Sequence, residues 1–395
     1  MLLPVLLIRT GVQAPVVSGT TWTPTTRSGS ARLTNWKENL GMGCPIRIAV
    51  AFFAGALLPT LVAGAEPVAA VVSTTLATGA EQIRQFAFDG KLDTFFVSKE
   101  NLRTSDHFTL LFDHAVSARS VAVITGKADS KKTDSLEDGT LEVSSDGKTF
   151  VSLAKFAGGT VRKDLHGKRI QAVRIKPASG QDHPLAVREF TIASDPPVGI
   201  FKYPIEIDVD CADSPEMRDW ASKAASLCER WYPRINDELK SEGYKPAHHV
   251  TMKITTTYDG VAAASGHEIV GATKFFKDHP DDLGAMIHET VHIVQNYHSR
   301  KNPGWLVEGV ADFFRFFIFE PGKIGPIRAR GARYDGSYRT TAAFLGYVTH
   351  RYRKSLVNEL NAVMRQGKYS DAIFKELTGK TVEELDKEWR QTLKR

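Results

Sequence analysis

Two adjacent prolines divide this chain into segments whose periodicities cannot share one core. Ser194-Asp195-Pro196-Pro197-Val198-Gly199 stops both a helix and a central strand, because proline offers no amide donor and fixes its own φ. Before it, residues 80–193 run in short alternating or β-branched stretches. These are Phe108–Phe112, Ser120–Thr125, Gly139–Ser144, Ala172–Ile175 and Val187–Ile192, punctuated by Asp89-Gly90, Asp138-Gly139 and Asp146-Gly147 turns. After it the apolar spacing lengthens towards that of helices. The pattern predicts a multi-domain chain: an all-β sandwich or jelly roll over residues 80–193, a linker over 194–199 and an α+β domain over 200–395. At 395 residues there is enough chain for two filled cores.

In the second domain, Tyr203–Val209 and His249–Thr256 read as strands, and His267–Phe275 as a third. Its His267–Ala272 part is equally readable as an edge able to pair with an extended peptide or as a core strand. Ser214-Pro215-Glu216 opens a helix whose apolar face is Trp220, Ala224, Leu227 and Trp231. Leu283–Tyr297, Trp305–Phe319, Thr340–Tyr352 and Lys354–Arg365 follow as helices. A last one starts at Thr381, with Glu384 completing a capping box.

The Leu283–Tyr297 helix carries His288-Glu289-Thr290-Val291-His292. Four residues apart, the two imidazoles project from one face, which is half of a tetrahedral zinc site with Glu289 placed to act on water. The next helix carries Trp305-Leu306-Val307-Glu308-Gly309-Val310-Ala311-Asp312. Glu308 is the candidate third ligand. Asp312, one turn on, is a candidate hydrogen-bond acceptor for a ligand histidine, or the ligand itself if the helix is rotated. Solvated histidines on an ordinary helix would leave this carboxylate pair on an apolar helix unexplained. The chemistry implied is hydrolysis of a polarised carbonyl with Glu289 as general base. Tyr338 is a candidate for oxyanion stabilisation, equally readable as a packing aromatic. Arg315 and Arg333 read more simply as salt-bridged than as substrate anchors.

The basic balance of the chain does not imply nucleic acid. Residues 1–65 hold five of its 51 Lys and Arg and one of its 45 Asp and Glu, leaving 46 against 44 beyond them. Residues 42–65 have the form of a secretory signal: Met42, Arg47, an apolar run from Ile48 to Val62, then Ala63-Gly64-Ala65 as a cleavage pattern. The run is short for a membrane span of about 20 residues, so after cleavage no integral membrane protein is expected. Residues 1–41 read as a disordered leader or a mis-assigned start. The expected localisation is secreted or periplasmic. Cys44 leaves with the signal, and in an oxidising compartment Cys211 and Cys228 are expected to form a disulfide contributing roughly 3 kcal/mol.

Residues 200–390 resemble the plant basic secretory protein family and its bacterial relatives, zincin-type metallopeptidases. The resemblance is carried by residues 285–295, by Pro303-Gly304-Trp305-Leu306-Val307-Glu308-Gly309-Val310-Ala311-Asp312-Phe313-Phe314-Arg315, by Gly336–Leu345, and by Leu377–Leu385. It implies zinc at His288 and His292, catalysis by Glu289, and a peptide or protein substrate. The Glu-x-x-x-Asp order resembles that of thermolysin-like enzymes and favours Glu308. Residues 80–193 resemble the discoidin, or coagulation-factor C-type, jelly roll of secreted glycan-binding modules. The carriers are Phe88–Phe96, Leu141–Phe150 and Val187-Arg188-Glu189-Phe190. This resemblance implies a glycan or cell-surface polymer as partner and a structural calcium held by Asp89, Asp93, Thr94 and Glu189, although Asx turns account for the two aspartates equally well. The competing reading is an inactive secreted adhesion protein with a vestigial peptidase fold. The intact His288, Glu289, His292 and Glu308 argue against it.

Overall fold

The structure is a computed structural model that describes residues 66–129, 131–199 and 201–393. The leader, the signal segment and Cys44 lie outside the described residues. Among those described, no helix is long and apolar enough to cross a membrane.

The first domain contains β1 (Ala70–Thr74), β2 (Phe96–Val97), β3 (Phe108–Thr125), β4 (Gly139–Ser144), β5 (Val151–Lys155), β6 (Thr160–Pro177) and β7 (Ala186–Asp195). They bond in the order β2-β7-β3-β6-β4-β5, with β1 on β3, and every pairing is antiparallel. Two strands are longer than the sequence pattern suggested. Phe108–Phe112 and Ser120–Thr125 are the two ends of β3, and Ala172–Ile175 is the end of β6. No glycine or proline interrupts residues 112–120, so the strand bends through register shifts at Leu111/Val116 and Ala118/Ser120 instead of turning. The bends fold one hydrogen-bonded sheet into two layers, closing over Leu110, Phe112, Val121, Val123, Val173, Ile175, Val187 and Phe190. This is the expected all-β sandwich.

The second domain is α+β. Its sheet contains β8 (Glu206–Asp210), β9 (His249–Thr255), β10 (Ala262–Ser265) and β11 (Glu268–Ala272), in the order β10-β11-β9-β8. β8, β9 and β11 are parallel and β10 is antiparallel to β11. The predicted strand from His267 therefore ends at Ala272, runs into helix α2 (Thr273–Asp278), and lies inside the sheet. The edge belongs to β10. Its Ala-Ala-Ala-Ser sequence has neither alternation nor β-branching, so the pattern did not reveal it.

The remaining helices are α1 (Arg218–Glu238), α3 (Gly284–Gln295), α4 (Gly304–Phe313), α5 (Tyr338–Arg351), α6 (Leu356–Arg365), α7 (Ala372–Thr378) and α8 (Val382–Thr392). The capping box of Thr381 and Glu384 is present at the start of α8. On α1 the buried stripe is Ala221, Ala224, Ala225, Cys228, Tyr232 and Ile235, while Trp220, Leu227 and Trp231 are half-buried at its flank. The expected face was thus rotated: small residues let α1 approach its neighbours closely, and the bulky ones cover the seam.

Cys211 and Cys228 are free and buried, which corrects the expected disulfide. Each packs as a small apolar side chain within the core of the second domain.

Candidate metal centre

α3 lies across the sheet because all of it except His292 is buried, with Ala285, Met286, Ile287, Val291, Ile293 and Val294 as its apolar residues. Gly271 of β11 leaves room for Met286, whose Cε would sit 2.7 Å from a Cβ at that position. Asp282 fixes the helix start by accepting the Ala285 amide at 3.2 Å, and Arg315 bonds the same carboxylate at 2.5 Å. Asn296, at φ 42°, ends it and returns its amide to the His292 carbonyl. His288 and His292 emerge one turn apart with ring centroids 4.8 Å from each other.

α4 packs against this face and brings both of its carboxylates. Glu308 Oε2 lies 3.1 Å from His288 Nε2 and 3.4 Å from His292 Nε2, and the two Nε2 atoms are 3.1 Å apart. Asp312 Oδ1 instead accepts from His288 Nδ1 at 2.7 Å. The alternatives left open by the sequence are therefore separated in space. Glu308 sits where the two Nε2 atoms converge, and Asp312 lies behind His288.

His292 has a matching partner that sequence reasoning missed. Its Nδ1 is 2.6 Å from Gln295 Oε1, and Gln295 Nε2 donates to the Val307 carbonyl at 2.9 Å. That second bond fixes which end of the amide faces the imidazole. Nδ1 of His292 must then carry the proton, leaving the Nε2 lone pair free. Only the i+3 spacing from His292 on the helix hinted at this residue.

Burial opposes protonation of His288, but its bonds to Asp312 and Glu308 outweigh it and raise the imidazole to about 10. Burial likewise opposes ionisation of Glu308, and the two imidazoles overcome it, holding the carboxylate well below its usual range. Glu289 is pushed up by burial, against the pull of both histidines. The carboxylates around the imidazoles therefore favour a positive charge where three ligand atoms meet. His288, His292 and Glu308 each offer one ligand atom within 4.8 Å of the others. Two imidazoles and one carboxylate, each imidazole oriented by a bond to its far nitrogen, form a donor set that fits zinc.

Two tyrosines border the cluster. Tyr338 is 43% exposed, and its ring lies 6.2 Å from that of His288 at 22°. Burial, then Glu308 and Glu289, push its hydroxyl up to about 12. Ser337 and Tyr338 sit at φ 67° and 45°, left-handed values that cost non-glycine residues energy and that cluster at functional sites. Tyr258, which carried no sequence signal, donates to the Ala262 carbonyl at 3.2 Å and senses the charge of Glu289. The edge strand β10 packs against α3, the helix that carries Glu289.

Gly309 sets how near α5 can come. A Cβ there would meet Thr341 Cγ2 at 2.1 Å, so glycine beside Glu308 brings α5, and Tyr338 at its start, against the cluster. Arg315 is committed to Asp282 and Glu320, and Arg333 to Asp335.

In the sandwich, Asp89 and Glu189 are both buried, at 6% and 5% exposure. Asp89 accepts from the Lys91 amide and Thr94 Oγ1, each at 3.0 Å, which is the expected Asx turn. Glu189 Oε2 is buried without a hydrogen-bond partner. Burial first, then Asp89, push Glu189 up to about 8. Asp93 lies at the surface nearby.

No curated protein matches the chain. Solved structures similar to the first domain include CBM32-1 from a family 31 glycoside hydrolase of Clostridium perfringens. It is 16% identical over 31% of this chain and 92% of that one, with a TM-score of 0.27. The family 32 carbohydrate-binding module of C. perfringens NanJ, in complex with galactose, is 13% identical over the same shares with a TM-score of 0.27. A Streptococcus pneumoniae fucose-binding module, SpX-3, is 14% identical over 31% of this chain and 92% of that one, also at 0.27. The sandwich assignment rests on its own strand pairing. Residues 215–389 match the BSP family model, described as a peptidase of plants and bacteria. That span contains His288, His292 and Glu308, so the second domain is similar to the plant and bacterial peptidases over the stretch that carries the cluster.

Proposed function

We propose that the protein is a secreted zinc-dependent peptidase in which His288, His292 and Glu308 hold the metal and Glu289 is the general base. The observation that carries this reading is the meeting of His288 Nε2, His292 Nε2 and Glu308 Oε2, with Asp312 and Gln295 bonded to the opposite ring nitrogens. Zinc bound there supplies Lewis-acid polarisation of the scissile carbonyl and of water. Glu289, raised by burial, takes the proton from the attacking water and delivers it to the leaving amine. Tyr338 stays protonated at neutral pH and offers a hydroxyl to the developing oxyanion. An extended peptide would add to the free side of β10, beside Glu289.

The sandwich is proposed to bind a glycan or surface polymer. Asp89 and Glu189 are its candidate calcium ligands, with Thr94 and Asp93 beside them, because a buried carboxylate oxygen without a partner suits a hard cation. Export by the segment 42–65, with cleavage after Ala65, belongs to the same proposal.

Glu289→Gln tests the mechanism. Turnover of peptide substrates should fall about 10²- to 10⁴-fold while zinc content is unchanged. Turnover at the wild-type rate would remove Glu289 from the reaction.

A further inference from the structure

The chain between β1 and β2 leaves the sandwich and enters the other domain. Thr78 Oγ1 reaches both oxygens of Glu206, at 2.6 and 2.8 Å. The backbone amide of Arg84 donates to Glu206 Oε2 at 2.8 Å. Its guanidinium lies 3.6 Å from Glu206 Oε1 and donates to Glu229 Oε1. Glu206 opens β8 and Glu229 lies midway along α1, and each is 2% exposed. Glu229 also accepts the Ile207 amide at 2.8 Å. Among the described residues, neither carboxylate has an ion-pair partner other than Arg84.

We infer that the sandwich supplies, through Arg84, the counter-ion for two buried carboxylates of the peptidase domain, so that the two domains fold as one cooperative unit. A tethered module would dock through a wet, exchangeable surface. Here, removing the guanidinium alone leaves two carboxylates in a closed contact with no cation, and an uncompensated buried charge is far costlier than a broken surface pair. Asp113 and Arg230, 2.6 Å apart and half-exposed at the rim, supply the contrast. The adjoining group of Glu206, Asp208 and His249 has the spacing of a metal site. Because Thr78 and Arg84 already occupy the oxygens of Glu206, the group belongs to this latch.

The latch also backs onto the catalytic helix. Glu229 lies on α1, and α1 packs against α3, the helix that carries Glu289. Arg84 therefore anchors the layer on which α3 rests, and nothing in this arrangement depends on the metal.

The experiment is calorimetry of the full chain, wild type beside Arg84→Met, Asp113→Asn and the triple variant Arg84→Met/Glu206→Gln/Glu229→Gln. The wild type should unfold in one transition. Arg84→Met should lower it by about 5–10 °C or split it in two, as expected when a buried pair loses one partner. Asp113→Asn should move it by about 1 °C or less. The triple variant, with no buried charge left unpaired, should recover most of the loss. Two separate transitions in the wild type would overturn the inference. So would an Arg84→Met midpoint equal to wild type, or a triple variant no better than the single.

Discussion

The proposed metal cluster and the Arg84 latch both bury carboxylates of one domain, but they answer that burial differently. At the latch, a cation arrives covalently, carried on the chain itself, and Glu206 and Glu229 are satisfied once the sandwich is in place. At the cluster, Glu308 faces two imidazoles whose far nitrogens are already bonded to Asp312 and Gln295. Those outer bonds aim three ligand atoms at one point without using them up. A buried acid that only needs neutralising takes an arginine, whereas one that must present lone pairs to an incoming ion is oriented from behind.

Gln295 is the residue at which the two sites differ most. Gln295→Ala removes the bond that fixes the His292 tautomer, so zinc affinity, measured by competition with a chelator, should fall about 10- to 100-fold. Gln295→Glu, which accepts the same proton, should restore much of it. Equal affinity in the alanine variant would reduce Gln295 to a packing residue.

Gly309→Ala tests the close approach of the helices. With Thr341 Cγ2 2.1 Å from the new Cβ, α5 must shift, at a cost of about 1–3 kcal/mol in unfolding free energy. Tyr338 should move with it, so turnover should drop while zinc content holds. Unchanged denaturant midpoint and turnover would show that the helices have slack.

A third pair of buried acids, Asp89 and Glu189, has no ion-pair partner among the described residues. Glu189 is raised from an ordinary 4.5 to about 8, by burial and then by Asp89. The folded protein thus keeps a proton that the unfolded chain releases across that window. Stability should therefore fall as pH rises from about 4.5 towards 8 in the presence of a chelator. Calcium should flatten the slope. A slope unaffected by calcium would argue for a proton as the resident partner of Glu189.

The features legible in the sequence were local ones. The four-residue spacings of His288 with His292 and of Glu308 with Asp312 each select one helix face, and the helices carry them as read. Asp-Gly turns marked strand ends, yet β3 passed for two strands because a bulge leaves no punctuation. What stayed hidden depends on partners distant in sequence. Gln295 has meaning only once Val307 and His292 flank it, and Tyr258 only once Glu289 is near. Arg84 looks like one more surface charge until Glu206 and Glu229 enclose it. The expected disulfide came from compartment logic alone, and the core of the second domain takes up both cysteines as small apolar residues instead.

The metal centre is tested most simply by metal content, measured by elemental mass spectrometry on the folded, purified chain beside His292→Ala. One zinc per chain, absent from a His292→Ala variant that still unfolds cooperatively, is the result expected. No zinc in the folded wild type after reconstitution at neutral pH would contradict the metal centre and leave the cluster a buried hydrogen-bond network.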